Sequence, residues 1–272
     1  MDDRVQPSDL ELAALISSKI CHDLIGPVGN INNGLEILDE EDDAQSRNYA
    51  LDVIRNVTET ASARLQFARF AFGATDSAGA RIDLATAEEL SRGLIGNGKH
   101  KLAWRGLKGQ IAKDKAKLLL NLVAIAPTAI PRGGDIVVEI AGTMANPGFV
   151  VRCHGPSARP PQYLGDFVNG PAPPINAMTI QAYYTLRLAM ASRMRLTVVK
   201  DGADVVLTAK LESAARGYLV SAIWWLRRLL IAKRWDGIAR EASSRGTPPS
   251  PAALGLSTRP SLAATGRGRR GE

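Results

Sequence analysis

A chain of 272 residues with 45% hydrophobic content is long enough for two domains, each with its own buried core. Its formal charge of +7 does not mark a nucleic-acid surface: residues 212–272 hold 11 Lys and Arg against 4 Asp and Glu, and the 23 basic and 23 acidic residues before them cancel. No run reaches the roughly 18 to 20 uninterrupted apolar residues of a membrane-spanning helix, and two distant cysteines, Cys21 and Cys153, with no secretory signal, point to a reducing cytoplasm without a structural disulfide.

In residues 10–38 the apolar positions Leu10, Ala14, Cys21, Leu24, Val28, Ile31, Leu35 and Leu38 recur at steps of three and four, the signature of a helix with one apolar seam. Ser8 and Glu11 have the spacing of a capping box, and acidic residues 39–43 form the turn that ends it. A second helix is expected over residues 44–72, with Ala50, Ile54, Val57, Ala61, Leu65, Ala68 and Phe72 on one face and Gly73 as its C-cap. Two such helices joined by a short turn form an antiparallel hairpin. A hairpin cannot cover its own seam, so pairing with a second copy into a four-helix bundle follows.

Residues 74–79 read as a linker, after which the pattern becomes mixed. Thr86 and Glu89 suit the opening of a helix to about Ile95; residues 101–104 suit a strand and 114–126 a helix. Strands are expected at 135–140 and 148–153, a Pro/Gly-rich loop at 155–174, a helix at 176–194, and a hairpin of strands 195–199 and 204–211 turning on Asp201-Gly202. The sum is an α/β sandwich with helices on one face of a mixed sheet. The expected domains are thus 8–73 and 80–211, followed by a basic tail at 212–272. In that tail Leu219, Ile223, Leu226 and Leu230 share a helical stripe ringed by Arg, Lys and Trp, a pattern that suits a membrane interface or a helix packed on the α/β domain, and residues 243–272 lack the means to build a core.

His22 follows the seam residue Cys21 and so faces away from the bundle core. Its helical neighbours are Ser18, Lys19, Ile25 and Gly26, small residues with one cation that leave the ring approachable. A neutral imidazole offers one free nitrogen lone pair near cytoplasmic pH, which suits an exposed His to accept a phosphoryl group. Asp23 is placed to orient the ring or to act on its field, Lys19 to neutralise incoming charge, and Pro27 to remove a backbone hydrogen bond and bend the helix one turn beyond His22. His100 and His154 have no second ligand-type residue at metal spacing and read as ordinary polar positions; Asn30, Asn32 and Asn33 suggest polar contacts at the bundle or domain junction.

The run His22-Asp23-Leu24-Ile25-Gly26-Pro27-Val28 resembles the H box of sensor histidine kinases, and the longer segment 12–38 is similar to the ChpT family of alphaproteobacterial histidine phosphotransferases. The resemblance covers roughly residues 8–211. It implies a dimeric helical hairpin carrying His22 as the phosphorylated residue, followed by a degenerate copy of the kinase ATP-binding domain. Asn121 resembles the start of the kinase N box, but Ile125 stands where the magnesium ligand belongs, and an aliphatic chain cannot coordinate Mg²⁺. Cys153 stands where the adenine-reading Asp belongs and Ser157 replaces the second Gly of that loop, while residues 176–184 lack the glycines that bring backbone N–H groups to phosphates.

The implied activity is phosphoryl shuttling between receiver-domain aspartates, with no cofactor held by this chain and Mg²⁺ supplied by the receiver. The resemblance also implies a hybrid kinase, CckA, as donor and CtrA and CpdR as acceptors, in cell-cycle control. Gly26 occupies the position where bifunctional kinases place Thr or Asn to orient water, so direct receiver phosphatase activity is not expected. Two other readings stay open at this point: an ATP-using sensor kinase, and a noncatalytic dimeric scaffold.

Overall fold

Ser8 and Glu11 close the start of the first helix reciprocally: the Glu11 carboxylate accepts from the Ser8 N–H at 2.8 Å, and the Ser8 hydroxyl accepts from the Glu11 N–H at 3.2 Å. The helix that follows, α1 (Asp9–Glu40), and its antiparallel partner α2 (Ala44–Phe72) form the expected hairpin. Asp43 caps α2 by accepting from the Ser46 N–H at 2.9 Å. These elements come from a computed structural model, which describes residues 6–40, 42–73, 79–96 and 98–212. The expected tail helix and its membrane contact lie outside the described residues. Among the described residues, no helix is long and apolar enough to cross a membrane.

The two helices meet on a stripe offset from the expected seam. Pro27 and Gly34 are the buried residues of α1, and a Cβ at Gly34 would lie 2.6 Å from Ile54 Cγ1, so only glycine permits this approach. Leu24, Ile31 and Leu38 are half-buried as expected, whereas Ala14 and Cys21 are exposed, as are Leu10 (81%), Val28 (50%) and Leu35 (47%). The apolar stripe of α1 is broader than one partner helix can cover, and the single-chain hairpin fills only the edge nearest α2. On α2 the expected face is largely inward, with Ala50 buried and Leu65 the exposed exception.

Downstream, a five-stranded sheet has the order β2-β4-β5-β7-β6, built from β2 (His100–Gly106), β4 (Gly134–Gly142), β5 (Pro147–His154), β6 (Met194–Asp201) and β7 (Asp204–Leu211). Only the β2·β4 pair is parallel. Alternation sends Ile136, Val138, Phe149, Val151, Leu196 and Leu207 to one face, where they bury against α4 (Lys113–Ile125) and α6 (Ile180–Ala191). The opposite face carries Glu139, Arg152 and Thr208. Gly134 lets β4 begin beside β5: its φ is +139°, and a Cβ there would meet the His154 carbonyl oxygen at 2.1 Å.

Four features depart from the sequence expectation. Helix α3 (Leu84–Ile95) opens two residues earlier than Thr86, because the Asp83 side chain accepts from the Ala85 N–H at 2.9 Å. A small antiparallel pair, β1 (Arg81–Asp83) with β3 (Gln110–Ala112), was not anticipated; three residues are too few for a legible alternation. The expected loop at 155–174 contains α5 (Gln162–Asn169): Pro160 and Pro161 precede its first turn, where a missing N–H breaks no helical bond, and Leu164 is fully buried. The helix expected at 176–194 is shorter at both ends. Asn176 folds a turn before it, its side chain accepting from the Met178 N–H at 2.9 Å, and Met194 already belongs to β6.

The described residues up to Glu212 pack as one compact unit. Phe67 and Ala71 near the end of α2 pack with Ala87, Leu90 and Leu120, and the Phe72 ring lies 5.6 Å from that of Tyr184 on α6. Thus the end of the hairpin is part of the core of the α/β layer.

Candidate functional site

The middle of α1 presents His22 with its side chain 85% exposed. Ser18, Ile25 (73% exposed) and Gly26 surround it at the surface, and a Cβ on Gly26 would meet nothing within 4 Å. The ring is therefore open to a macromolecular partner. Its Nδ1 lies 3.5 Å from Asp23 Oδ1, at the limit of a hydrogen bond. With Nδ1–H turned to that carboxylate, the lone pair is left on Nε2, the more distant nitrogen.

Lys19 does not project toward the surface around His22 as the sequence suggested. Its Nζ donates to Asp23 Oδ2, one helical turn along α1. Lys19 and Asp23 also line a cleft of about 310 Å³ between the hairpin and the α/β layer, together with Arg64, His100 and Gln181. Lys19 consequently acts on Asp23, and Asp23 stands between Lys19 and the ring. Pro27 is buried within α1, which runs through it. Since proline has no N–H, the Asp23 carbonyl four residues earlier loses its helical donor. That carbonyl accepts instead from Arg64 Nη1 of α2 at 2.8 Å.

Arg64 is the residue of this neighbourhood that sequence reasoning missed. Spacing on α1 carries no signal for it; only once the Gly34 and Ile54 contact fixes the hairpin register do eleven residues back along α1 and ten forward along α2 bring Asp23 and Arg64 to one level. Asn30, Asn32 and Asn33 are exposed on α1 and do not form the junction, which is made by α2 with α3 and α4 and by α1 with α6.

Of the positions likened above to a kinase nucleotide site, Asn121, Ile125 and Cys153 are buried. Asn121 is fully buried, its Nδ2 donating to the Ala71 carbonyl at 3.2 Å and the Lys117 carbonyl at 2.9 Å, so it ties α4 to the end of α2. Ile125 is buried, and Cys153 is buried in β5 with its thiol pushed up to about 12, chiefly by burial. Ser157 adopts φ +58°, the left-handed conformation that glycine takes without strain. A cleft of about 730 Å³ lies between α4, α5 and α6, bordered by Thr128, Arg159, Tyr163, Asp166 and Met178.

The other two histidines have local partners. His100 Nε2 donates to the Ile130 carbonyl at 3.0 Å. His154 Nδ1 lies 2.6 Å from Asp204 Oδ1, and Arg152 Nη1 reaches Asp201 at 2.9 Å and Asp204 at 3.0 Å. The His154 bond, then that of Arg152, holds the Asp204 carboxyl below the usual range. A lowered folded-state value contributes stability that is present above the unfolded value of about 3.9 and is lost as pH falls through the folded value. Asp204→Asn should therefore lower stability at pH 7, and the deficit should be smaller at pH 3, below the unfolded value. Urea unfolding at both pH values checks this; a deficit as large at pH 3 would deny the linkage.

Residues 84–204 match the family model described as the histidine phosphotransferase C-terminal domain. The chain is 43% identical over 206 residues to the protein phosphotransferase ChpT of Brucella abortus (strain 2308), covering 75% of this chain and 97% of that protein. It is also similar to a bacterial phosphotransferase of solved structure, with 41% identity and a TM-score of 0.70 over 76% of this chain and 98% of that one. An α-helical hairpin bearing an exposed histidine, followed by an α/β layer that matches the histidine phosphotransferase C-terminal domain, defines the class of protein as a phosphotransferase. The chain belongs to the ChpT family of histidine phosphotransferases.

Proposed function

We propose that this chain relays phosphoryl groups between receiver-domain aspartates through His22. The single observation that carries the assignment is the exposed ring on α1, with Asp23 on its Nδ1 side and an open surface at Ser18, Ile25 and Gly26. A docked receiver presents its aspartyl phosphate to Nε2. The nitrogen lone pair attacks phosphorus, the N–P bond forms as the aspartyl O–P bond breaks, and the aspartate leaves as carboxylate. The positive charge that develops on the imidazole sits beside the Asp23 carboxylate, so the Nδ1 proton stays in place. Return to a second receiver is the same step reversed.

The receiver brings the Mg²⁺ that screens the transferring group, and this chain holds no cofactor of its own. Against ATP as donor stand buried Ile125 and Cys153 and the non-glycine Ser157 at the positions a kinase uses for metal and nucleotide. Homodimerisation is supported by the uncovered apolar edge of the hairpin, with Leu10, Val28, Leu35 and Leu65 exposed. The family resemblance supports a further part of this reading, in which the receiver of a hybrid kinase, CckA, is the donor and CtrA and CpdR are the acceptors, in cell-cycle control.

Incubation with radiolabelled ATP and Mg²⁺, then separately with a radiolabelled phosphorylated receiver, tests the assignment. Label is expected only from the receiver, and calorimetry is expected to show no heat of ATP binding. Autophosphorylation or micromolar ATP affinity would restore an ATP-using kinase.

A further inference from the structure

The Asp23 carbonyl joins two helices at the level of His22. Pro27 removes its helical donor, and a proline ring inside a helix also crowds the carbonyl of residue i−4, which is Asp23. Left without a donor, that carbonyl would tilt toward solvent and open the helix one residue beyond the phosphoacceptor. The Arg64 guanidinium on α2 closes the gap with a charge-assisted bond of 2.8 Å. On the same residue the Asp23 side chain holds Lys19 through Oδ2 and faces His22 Nδ1 through Oδ1. The backbone of one residue is thus clamped from α2, while its carboxylate selects which ring nitrogen keeps the proton.

We infer that Arg64 is a positioning residue for phosphoryl acceptance, acting through the Asp23 carbonyl that Pro27 leaves free and thereby holding His22 in the Nδ1–H tautomer. The inference rests on His22 as acceptor but makes a separate claim. Arg64 lines the cleft behind α1 with Lys19 and Asp23, a cleft that Ser18, Ile25 and Gly26 of the proposed docking surface do not line, so its loss should change the ring and not that surface. The dependence on Pro27 is specific: Pro27→Ala restores an N–H to residue 27, which gives the Asp23 carbonyl a helical donor and makes Arg64 dispensable.

Two readouts on the full-length chain test this. Nitrogen chemical shifts of the His22 ring report the tautomer without any partner, and single-turnover acceptance from a radiolabelled receiver that labels wild type separates the plateau rate from half-saturation. Arg64→Met is expected to shift the ring toward the Nε2–H tautomer and to lower the plateau about tenfold, the scale on which loss of a histidine's second-nitrogen support acts elsewhere, with half-saturation unchanged. Arg64→Lys, which keeps a cationic donor, should recover most of the loss. Pro27→Ala in the Arg64→Met background should restore the Nδ1–H tautomer, giving a nonadditive double-mutant cycle. An unchanged tautomer in Arg64→Met, or a double variant no better than the sum of the singles, overturns the role of Arg64. Labelling that survives His22→Ala overturns the acceptor assignment instead, so the two failures are distinguishable.

Discussion

His22→Ala is expected to reduce phosphoryl acceptance from a phosphorylated receiver to background while leaving the fold intact. With 85% of its side chain in solvent, the ring fills no space in the hairpin, and the Asp23 contact at 3.5 Å is weak. Surface substitutions of this kind change stability by less than about 0.5 kcal/mol. Chemistry, in contrast, has no substitute at this point: no other nitrogen or oxygen nucleophile of α1 combines that exposure with a neighbouring carboxylate, and Ser18 lacks a base to activate it. Labelling followed by acid treatment and thermal unfolding of the variant measures both halves. An acid-labile label that persists in His22→Ala would place the acceptor elsewhere.

Phe67→Ala should produce a large loss of stability. Phe67 is 3% exposed and packs with Ala71, Ala87, Leu90 and Leu120, so its removal leaves a cavity where three helices meet. Large-to-small changes at such aromatic sites cost about 3 to 5 kcal/mol. For a unit of this size that corresponds to a fall in Tm on the order of 10 °C. Because the same cluster belongs to the hairpin and to the α/β layer, both should melt earlier and in one transition. Two separated transitions, with the sheet signal unmoved, would show that the end of α2 does not share the core.

Much of this architecture was legible along the chain because it depends on periodicity and on contacts a few residues apart. The steps of three and four in residues 10–38, the capping pair Ser8 and Glu11, the alternation of β4 and β5, and the turn at Gly202, with φ +58°, are local constraints that the backbone obeys wherever the rest of the molecule lies. The exposure of His22 was expected from periodicity, although the seam residue Cys21 beside it is itself exposed, because the hairpin packs on a stripe offset toward Pro27 and Gly34. Helix α5 and the β1·β3 pair were hidden for the opposite reason. Prolines and glycines around Leu164 outweighed its pattern, and three-residue strands owe their form to the partner strand across from them.

By itself, the sequence determined that two long helices precede a mixed sheet and that a histidine sits on the outer face of the first, since both follow from side-chain spacing on a single element. Tertiary structure alone decided what surrounds that histidine from behind. Arg64 reaches the Asp23 carbonyl across 41 residues of chain, and at the far end of α2 Asn121 reaches the Ala71 carbonyl across 50. Such bonds depend on which helix lies opposite at a given level. A buried or partly buried polar group takes the nearest complementary partner in space, and its distance along the chain has no bearing on that choice.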